Sequence, residues 1–444
     1  MTTKLHTREM KLILLSFIIL IGIGTFLLLL PFAHKGELRM IDAFFTSTSA
    51  VCVTGLIVKD THHDFTLFGQ IIIMLLIQIG GLGYMTAVTF LTVIRHQKLD
   101  HRDRLVLQES LNYPGMKGLV HFLRIVFASI AIIDVGGMVI LTLRFWVDMP
   151  IGKAIWFGVF HAISAFNNAG FSLFANNMMD YRDDVIINLT IPLLIILGGL
   201  GYLVVIELYN FSKKEVVRIS THTKIVLGMS LLLIVFGILL LLSLEWNHAF
   251  ASMPWYRKIM AAWFASVNYR TAGFNTIDFS TLTDSNLFFG TFFMMTGGAP
   301  GGTAGGIKIT VVALALLGMW YTLRGDTNAH IFHRSISPYQ INKAYTIIFI
   351  ASIYVVVSTI ILSEVEQLPF LRTLFEACSA FGTVGLSTGN GDILSYSALF
   401  SDIGKLNIIV LMFMGRIGVF AFTVVIIGKA VQSRIKYAEG RIIL

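Results

Sequence analysis

Val51–Leu56, read Val-Cys-Val-Thr-Gly-Leu, decides how this chain is understood. On its own it is a short turn with one glycine. Three later stretches share its design: Asn167–Phe171 (Asn-Asn-Ala-Gly-Phe), Arg270–Phe274 (Arg-Thr-Ala-Gly-Phe) and Thr383–Leu386 (Thr-Val-Gly-Leu). Each sets one Gly between a small or polar residue and a large apolar one. Gly55, Gly170, Gly273 and Gly385 are spaced by 115, 103 and 112 residues, an internal repeat.

What precedes each glycine gives the repeat its meaning. Met40–Ala50 is apolar and helix-like, yet at 1.5 Å per residue it reaches only halfway across a hydrocarbon core of ~30 Å. Asp42 is its expected N-cap. The polar run Lys59–Asp64 follows the loop and returns the chain to the side it came from. Irregular backbone at mid-depth is tolerated only where it lines a cavity or packs in protein. Half-helices at Pro150–Phe166, Pro254–Val267 and Pro369–Phe381 repeat the pattern, with Pro expected at the first helical position. A common half-length at a common position argues against four incidental turns.

Full spans flank each half-helix, at about 11–31 and 69–94, 118–146 and 185–211, 223–244 and 286–323, and 343–362 and 403–430. The expected fold is an all-α polytopic membrane protein. Four parallel span, pore-helix, loop and span repeats (1–104, 105–215, 216–335 and 336–444) surround one pseudo-fourfold pore. The half-helices would aim their C-terminal partial negative charge at the axis, and loop carbonyls would replace a cation's hydration shell. The expected filter comprises Val51, Cys52, Val53 and Thr54 with Gly55, and Asn167, Asn168 and Ala169 with Gly170. Arg270, Thr271 and Ala272 with Gly273, and Gly382, Thr383 and Val384 with Gly385, complete it.

Composition agrees. Of the 444 residues 56% are hydrophobic and 13% charged, about half the charge of a soluble domain. The net charge of +8 concentrates in segments on one side of the expected spans, including Arg95–Arg104, while the other side is net acidic. That is the positive-inside pattern and places both termini in the cytoplasm. It argues against nucleic-acid binding. Two cysteines, Cys52 and Cys378, support neither a disulfide framework nor a thiolate metal site.

A second fourfold motif lies 24 to 30 residues beyond each filter glycine: Gly80–Tyr84, Gly198–Tyr202, Gly297–Gly301 and Gly415–Val419. In repeats one and two, close helix packing through small residues suffices as a reading. Repeat three expands into Thr296–Gly306, too rich in Gly to stay helical, so its span is expected to break into an intramembrane gating loop. The gate residues are Gly297, Gly298, Ala299, Pro300, Gly301, Gly302, Thr303, Ala304, Gly305 and Gly306. In repeat four Arg416 replaces a motif glycine. A permanent charge at that depth is costly and reads as functional, facing the axis as part of the gate. Ion pairing with Asp134 or Glu207 is the competing reading, and Lys308 is expected to snorkel to the interface.

The stretches Thr46–Leu56, Ser164–Phe171, Val267–Asn275 and Cys378–Leu386, with the Gly-rich loop and Arg416, resemble the Trk/Ktr/HKT superfamily of potassium transporters over essentially the whole chain. The likeness is greatest to the bacterial Ktr membrane subunit. The resemblance implies potassium and rubidium as permeant ions, because Gly55 stands where sodium-selective plant relatives carry Ser. It further implies sodium stimulation, a homodimer with one pore per protomer, and a cytoplasmic regulatory ring that binds ATP or ADP. The location implied is the bacterial cell membrane. Arg434–Leu444 is a dimer-contact candidate by resemblance. No cofactor bound by this chain is expected.

Two other function classes compete with this reading. A carrier for a small organic solute would use a broken helix at the midplane. A membrane enzyme would draw on Asp134, Glu207, His62, His63 and His161, which form no spaced acid–base or metal-ligand set in the sequence.

Overall fold

The computed structural model describes residues 2–83, 119–214, 217–326, 328–391 and 393–427. Four helices are long and apolar enough to cross a membrane: Met10–Leu28, Ile125–Trp146, Thr221–Glu245 and Pro338–Glu366. They lie where the opening spans of the four expected repeats were placed. Their outward surfaces carry exposed Leu, Ile, Val and Phe side chains, including Phe26, Ile132, Leu231 and Phe349, as lipid contact demands.

A short helix follows each: Met40–Val51, Ile151–Phe166, Trp255–Asn268 and Phe370–Gly382. These match the expected half-helices within a residue or so. The three prolines sit one position earlier than expected, as N-caps with ψ of 143°, 154° and 121°. Their rigid φ sets the entry angle while their missing N–H leaves no donor unpaired. Asp42 is not a cap. Arg39 holds that position, and Asp42 lies in the first turn, where its carboxylate receives Arg39 at 3.0 Å and Lys405 at 2.8 Å. The pull of two cations outweighs the backbone bond a capping Asp would make.

Each closing span starts with a side-chain cap. Thr66, Asp184, Thr283 and Ser401 accept from the backbone N–H three residues on. Such caps contribute ~1 kcal/mol each.

The closing spans are not continuous. Val185–Gly199 and Tyr202–Ser212 meet at 101°, and Asp402–Ile417 and Val419–Ile427 at 108°. The hinge is the glycine at the fourth position of the motif: Gly201 has φ 84°, ψ 140°, and Gly418 has φ 96°, ψ 128°. Gly83, with φ 81°, ψ 131°, ends Leu67–Leu82 in the same conformation. Non-glycine residues rarely reach those angles, so the helix stops there. The expected unbroken spans at 185–211 and 403–430 are therefore corrected to bent pairs. In repeat three the break separates Asp284–Met295 from Ile309–Leu323, where a break was expected. A two-residue hairpin, His330–Ile331 with Arg334–Ser335, is the sheet among the described residues. Tyr84, the remainder of the repeat-one span to Ile94, Arg95–Arg104 and Arg434–Leu444 lie outside them.

Candidate functional site

The four glycine loops share one backbone. The residue two before each glycine is left-handed, with φ 58° at Val53, 61° at Asn168, 83° at Thr271 and 51° at Thr383. The glycines follow with φ 92°, 69°, 71° and 87° at Gly55, Gly170, Gly273 and Gly385. Left-handed non-glycine residues cost energy and persist only when their surroundings over-determine them.

The loops also touch in cyclic order. A Cβ placed on Gly55 would overlap the Ala169 carbonyl; on Gly170, Ala272; on Gly273, Val384; on Gly385, Thr54. Each repeat thus leans on the next and the fourth closes onto the first. The four glycines line a common cavity of about 320 Å³, whose wall also carries Asp60 and Asp278. All seventeen expected filter residues belong to these four segments. Val51 and Gly382 still count as the last helical residues of their half-helices. Cys52 is buried with a free thiol. The Arg270 side chain reaches to the Ser230 carbonyl and hydroxyl at 3.3 Å, on the opening span of its own repeat.

Serines that sequence reasoning passed over hold the loops. Ser49 Oγ donates to the Leu56 carbonyl at 2.8 Å and accepts from Gly55 N–H at 3.1 Å. Ser164 donates to Phe171 O at 2.8 Å, and Ser379 accepts from Gly385 N–H at 3.1 Å. In repeat three Asn268 does this work, receiving Phe274 N–H at 3.0 Å. The signal was present: a Ser stands six residues before the glycine in three of the four repeats.

The Gly-motif layer is woven separately. The first motif glycine packs against the end of its half-helix, Gly80 on Val51 O, Gly198 on Phe166 O and Gly415 on Phe381 O. Close packing through small residues is thus correct for that glycine, and breaking is the role of the glycine three residues on. The repeat-three loop fills the neighbouring break. Ala299 N–H donates to Gly199 O (2.9 Å), Thr303 N–H to Gly198 O (3.1 Å), and Tyr202 N–H to Gly301 O (3.0 Å). Gly306 N–H reaches Gly415 O at 3.1 Å, and Gly297 N–H pairs with Ile307 O at 2.8 Å as the loop closes on itself. Gly298, Pro300, Gly302, Ala304 and Gly305 complete the excursion.

Arg416 crosses this layer. Its guanidinium donates to the carbonyls of Thr303, Gly80 and Gly81, the last at 2.8 Å. These are backbone carbonyls freed by helix ends and by the loop. No ion pair to Arg416 is present among the described residues. Asp134 is engaged with Gln78, and Glu207 with Ser220 and Thr223. The two acids are paired, but with neutral groups. Lys308 does not snorkel: its Nζ turns back onto Ala304 O at 2.6 Å, a carbonyl of the loop four residues before it. Gly81, Gly83, Tyr202, Gly301, Gly302, Gly306, Lys308, Arg416 and Gly418 line a second cavity of about 320 Å³.

The histidines hold separate places. His161 is buried, bonded to Ser172 Oγ at 3.0 Å and stacked on Phe174. His62 packs edge-on against Phe157, and His63 is exposed.

The family model of a cation transport protein, TrkH, matches residues 2–435. Among curated proteins, Ktr system potassium uptake protein B of Bacillus subtilis is 38% identical over 96% of this chain and 95% of its own length. Potassium/sodium uptake protein NtpJ of Enterococcus hirae is 36% identical over 98% of this chain and 96% of its own. The crystal structure of the potassium transporter TrkH from Vibrio parahaemolyticus superposes with a TM-score of 0.71 at 19% identity, covering 94% of this chain and 84% of that one, a likeness of fold. With apolar membrane-length helices and this architecture, the chain belongs to the TrkH family of cation transport proteins, a family of transporters and not of enzymes.

Proposed function

We propose that this chain is the membrane pore subunit of a potassium uptake system and that its four glycine loops form the selectivity filter. One observation carries the reading: the cyclic contact of Gly55, Gly170, Gly273 and Gly385 through their neighbours' carbonyls. Carbonyls of the four loop segments dehydrate K⁺, and Rb⁺ passes with it. The half-helix C-termini add partial negative charge behind the ring. The relatives' names supply the ion, potassium in one and potassium/sodium in the other.

The gate lies one layer away, in Gly297–Gly306 and Arg416. A guanidinium beside the path raises the barrier to any cation, and the loop must leave its backbone partners for the path to open. Sodium acts as a stimulating ion. The chain works as a homodimer under a cytoplasmic ring of nucleotide-binding subunits that hold ATP or ADP, in keeping with the Ktr system name of its relatives. It sits in the bacterial plasma membrane with both termini cytoplasmic, and its repeats divide near residues 104, 215 and 335.

Expression in cells lacking other potassium systems tests this. Growth at low potassium and Rb⁺ uptake that excess K⁺ suppresses are expected. Uptake suppressed instead by amino acids or sugars would establish the organic-solute carrier.

A further inference from the structure

Asp134 is a buried carboxylate on the lipid-crossing helix Ile125–Trp146, 6% exposed. No Lys or Arg pairs with it among the described residues. An ionisable group so placed is costly and reads as functional by default. Its partner is Gln78, whose Nε2 lies 3.4 Å from Asp134 Oδ2. The other end of that amide, Oε1, accepts from Asn167 Nδ2 at 2.6 Å. Asn167 is the residue at which the second half-helix passes into its glycine loop, and it is fully buried.

We propose that Asp134 is a positioning residue for the filter, acting through the Gln78 amide on Asn167. The inference rests on reading the glycine loops as the filter. The logic is that of donors and acceptors. An amide has one donating and one accepting end, and here the Asp134 Oδ2 accepts from the donating one. Asp134 therefore holds the Gln78 NH₂ toward itself, which leaves Oε1 as the only end that can face Asn167. Asn167 then turns its NH₂ to Gln78 and to Ile163 O at 2.9 Å. Its remaining oxygen lies against the α-carbon of Gly81, where a Cβ would overlap it. The Gly81 carbonyl in turn receives Arg416 at 2.8 Å. The polar chain Asp134–Gln78–Asn167 joins the first two repeats, and its last member packs on Gly81, whose carbonyl Arg416 of the fourth holds. With Asp134 removed, Gln78 is free to flip, and Asn167 loses its directed acceptor.

The test is the ratio of Rb⁺ to Na⁺ uptake at matched membrane abundance, in cells lacking other potassium systems. Asp134→Leu is expected to lower that ratio by roughly three- to tenfold, the effect of one hydrogen bond of ordinary strength. Asp134→Asn is expected to restore it, because the new amide can still present its oxygen to Gln78. A purely structural carboxylate would lower abundance and leave the ratio alone. Asn167→Ala should lower the ratio to the same degree, and the double variant Asp134→Leu/Asn167→Ala no further. If Asp134→Leu does not reach the membrane, Gln78→Met cuts the same chain without removing a charge, and its ratio decides. An unchanged ratio in the variant that reaches the membrane overturns the proposal while the wild type still discriminates. A wild type that does not discriminate overturns the filter reading as well.

Discussion

The guanidinium of Arg416 donates to the Gly81 carbonyl at 2.8 Å, across 335 positions of sequence. The carbonyl is one of those left over where Leu67–Leu82 ends, and a helix C-terminus carries partial negative charge. The same guanidinium also holds the Thr303 carbonyl, so the end of Leu67–Leu82, the repeat-three loop and the helix that carries Arg416 share one cation. A five-donor planar group suits such a junction better than a lysine would.

Replacing Arg416 by Ala should therefore raise basal Rb⁺ flux. Removing one charge-assisted interaction from the closed state shifts its balance by ~1.4 kcal/mol or more, about tenfold in flux. Arg416→Lys keeps the charge but loses the fork and should fall between. Radioactive rubidium uptake at matched abundance measures this; unchanged flux in Arg416→Ala would remove the residue from the gate.

Asp42 and Lys405 lie 2.8 Å apart with side chains 4% and 5% exposed, joining the first half-helix to the last closing span. Breaking a buried pair costs ~3–5 kcal/mol because the survivor is stranded. Asp42→Asn strands Lys405, whereas Lys405→Met leaves Asp42 with Arg39 at 3.0 Å. Melting temperature in detergent should fall further for Asp42→Asn, and the double variant should lose less than the sum.

Ser49→Ala removes both a donor to Leu56 O and an acceptor for Gly55 N–H, at ~1 kcal/mol each. Ser379→Ala should cost less, since the bond to Gly385 N–H is the one at stake there. Thermal unfolding of the purified variants gives the order, and the reverse order would show that the loops are held otherwise.

Two hinge glycines separate conformation from crowding. Among the described residues nothing lies within 4 Å of a Cβ on Gly418, so Gly418→Ala meets the backbone penalty of ~1–3 kcal/mol. On Gly201 the added Cβ would also meet the Pro300 carbonyl at 2.7 Å. Gly201→Ala should unfold at the lower temperature and disturb uptake more.

Much of this architecture is written locally. Prolines at 150, 254 and 369 and a glycine after each half-helix punctuate the chain, so those elements were legible to within a residue. The bends at Gly201 and Gly418 were not. A glycine inside an apolar run looks the same whether it packs a neighbour, as Gly198 does, or breaks the helix three residues later. Only the hydrogen bonds offered by the repeat-three loop decide between them. Arg416 was legible as an unusual charge, but its partners are backbone carbonyls, which no side-chain pattern reveals. Lys308 and Asp42 were misread for a related reason: Ala304 and Lys405 draw them away from the local role that their sequence neighbours suggest.

The central claim is that four glycines form one filter, and substituting each in turn tests it most directly. Gly55→Ser, Gly170→Ser, Gly273→Ser and Gly385→Ser each force a side chain against the next repeat's carbonyl. Rb⁺ and Na⁺ uptake measured side by side should show a lower Rb⁺ preference in all four at matched abundance. A full Rb⁺ preference retained in any one of them would contradict the ring.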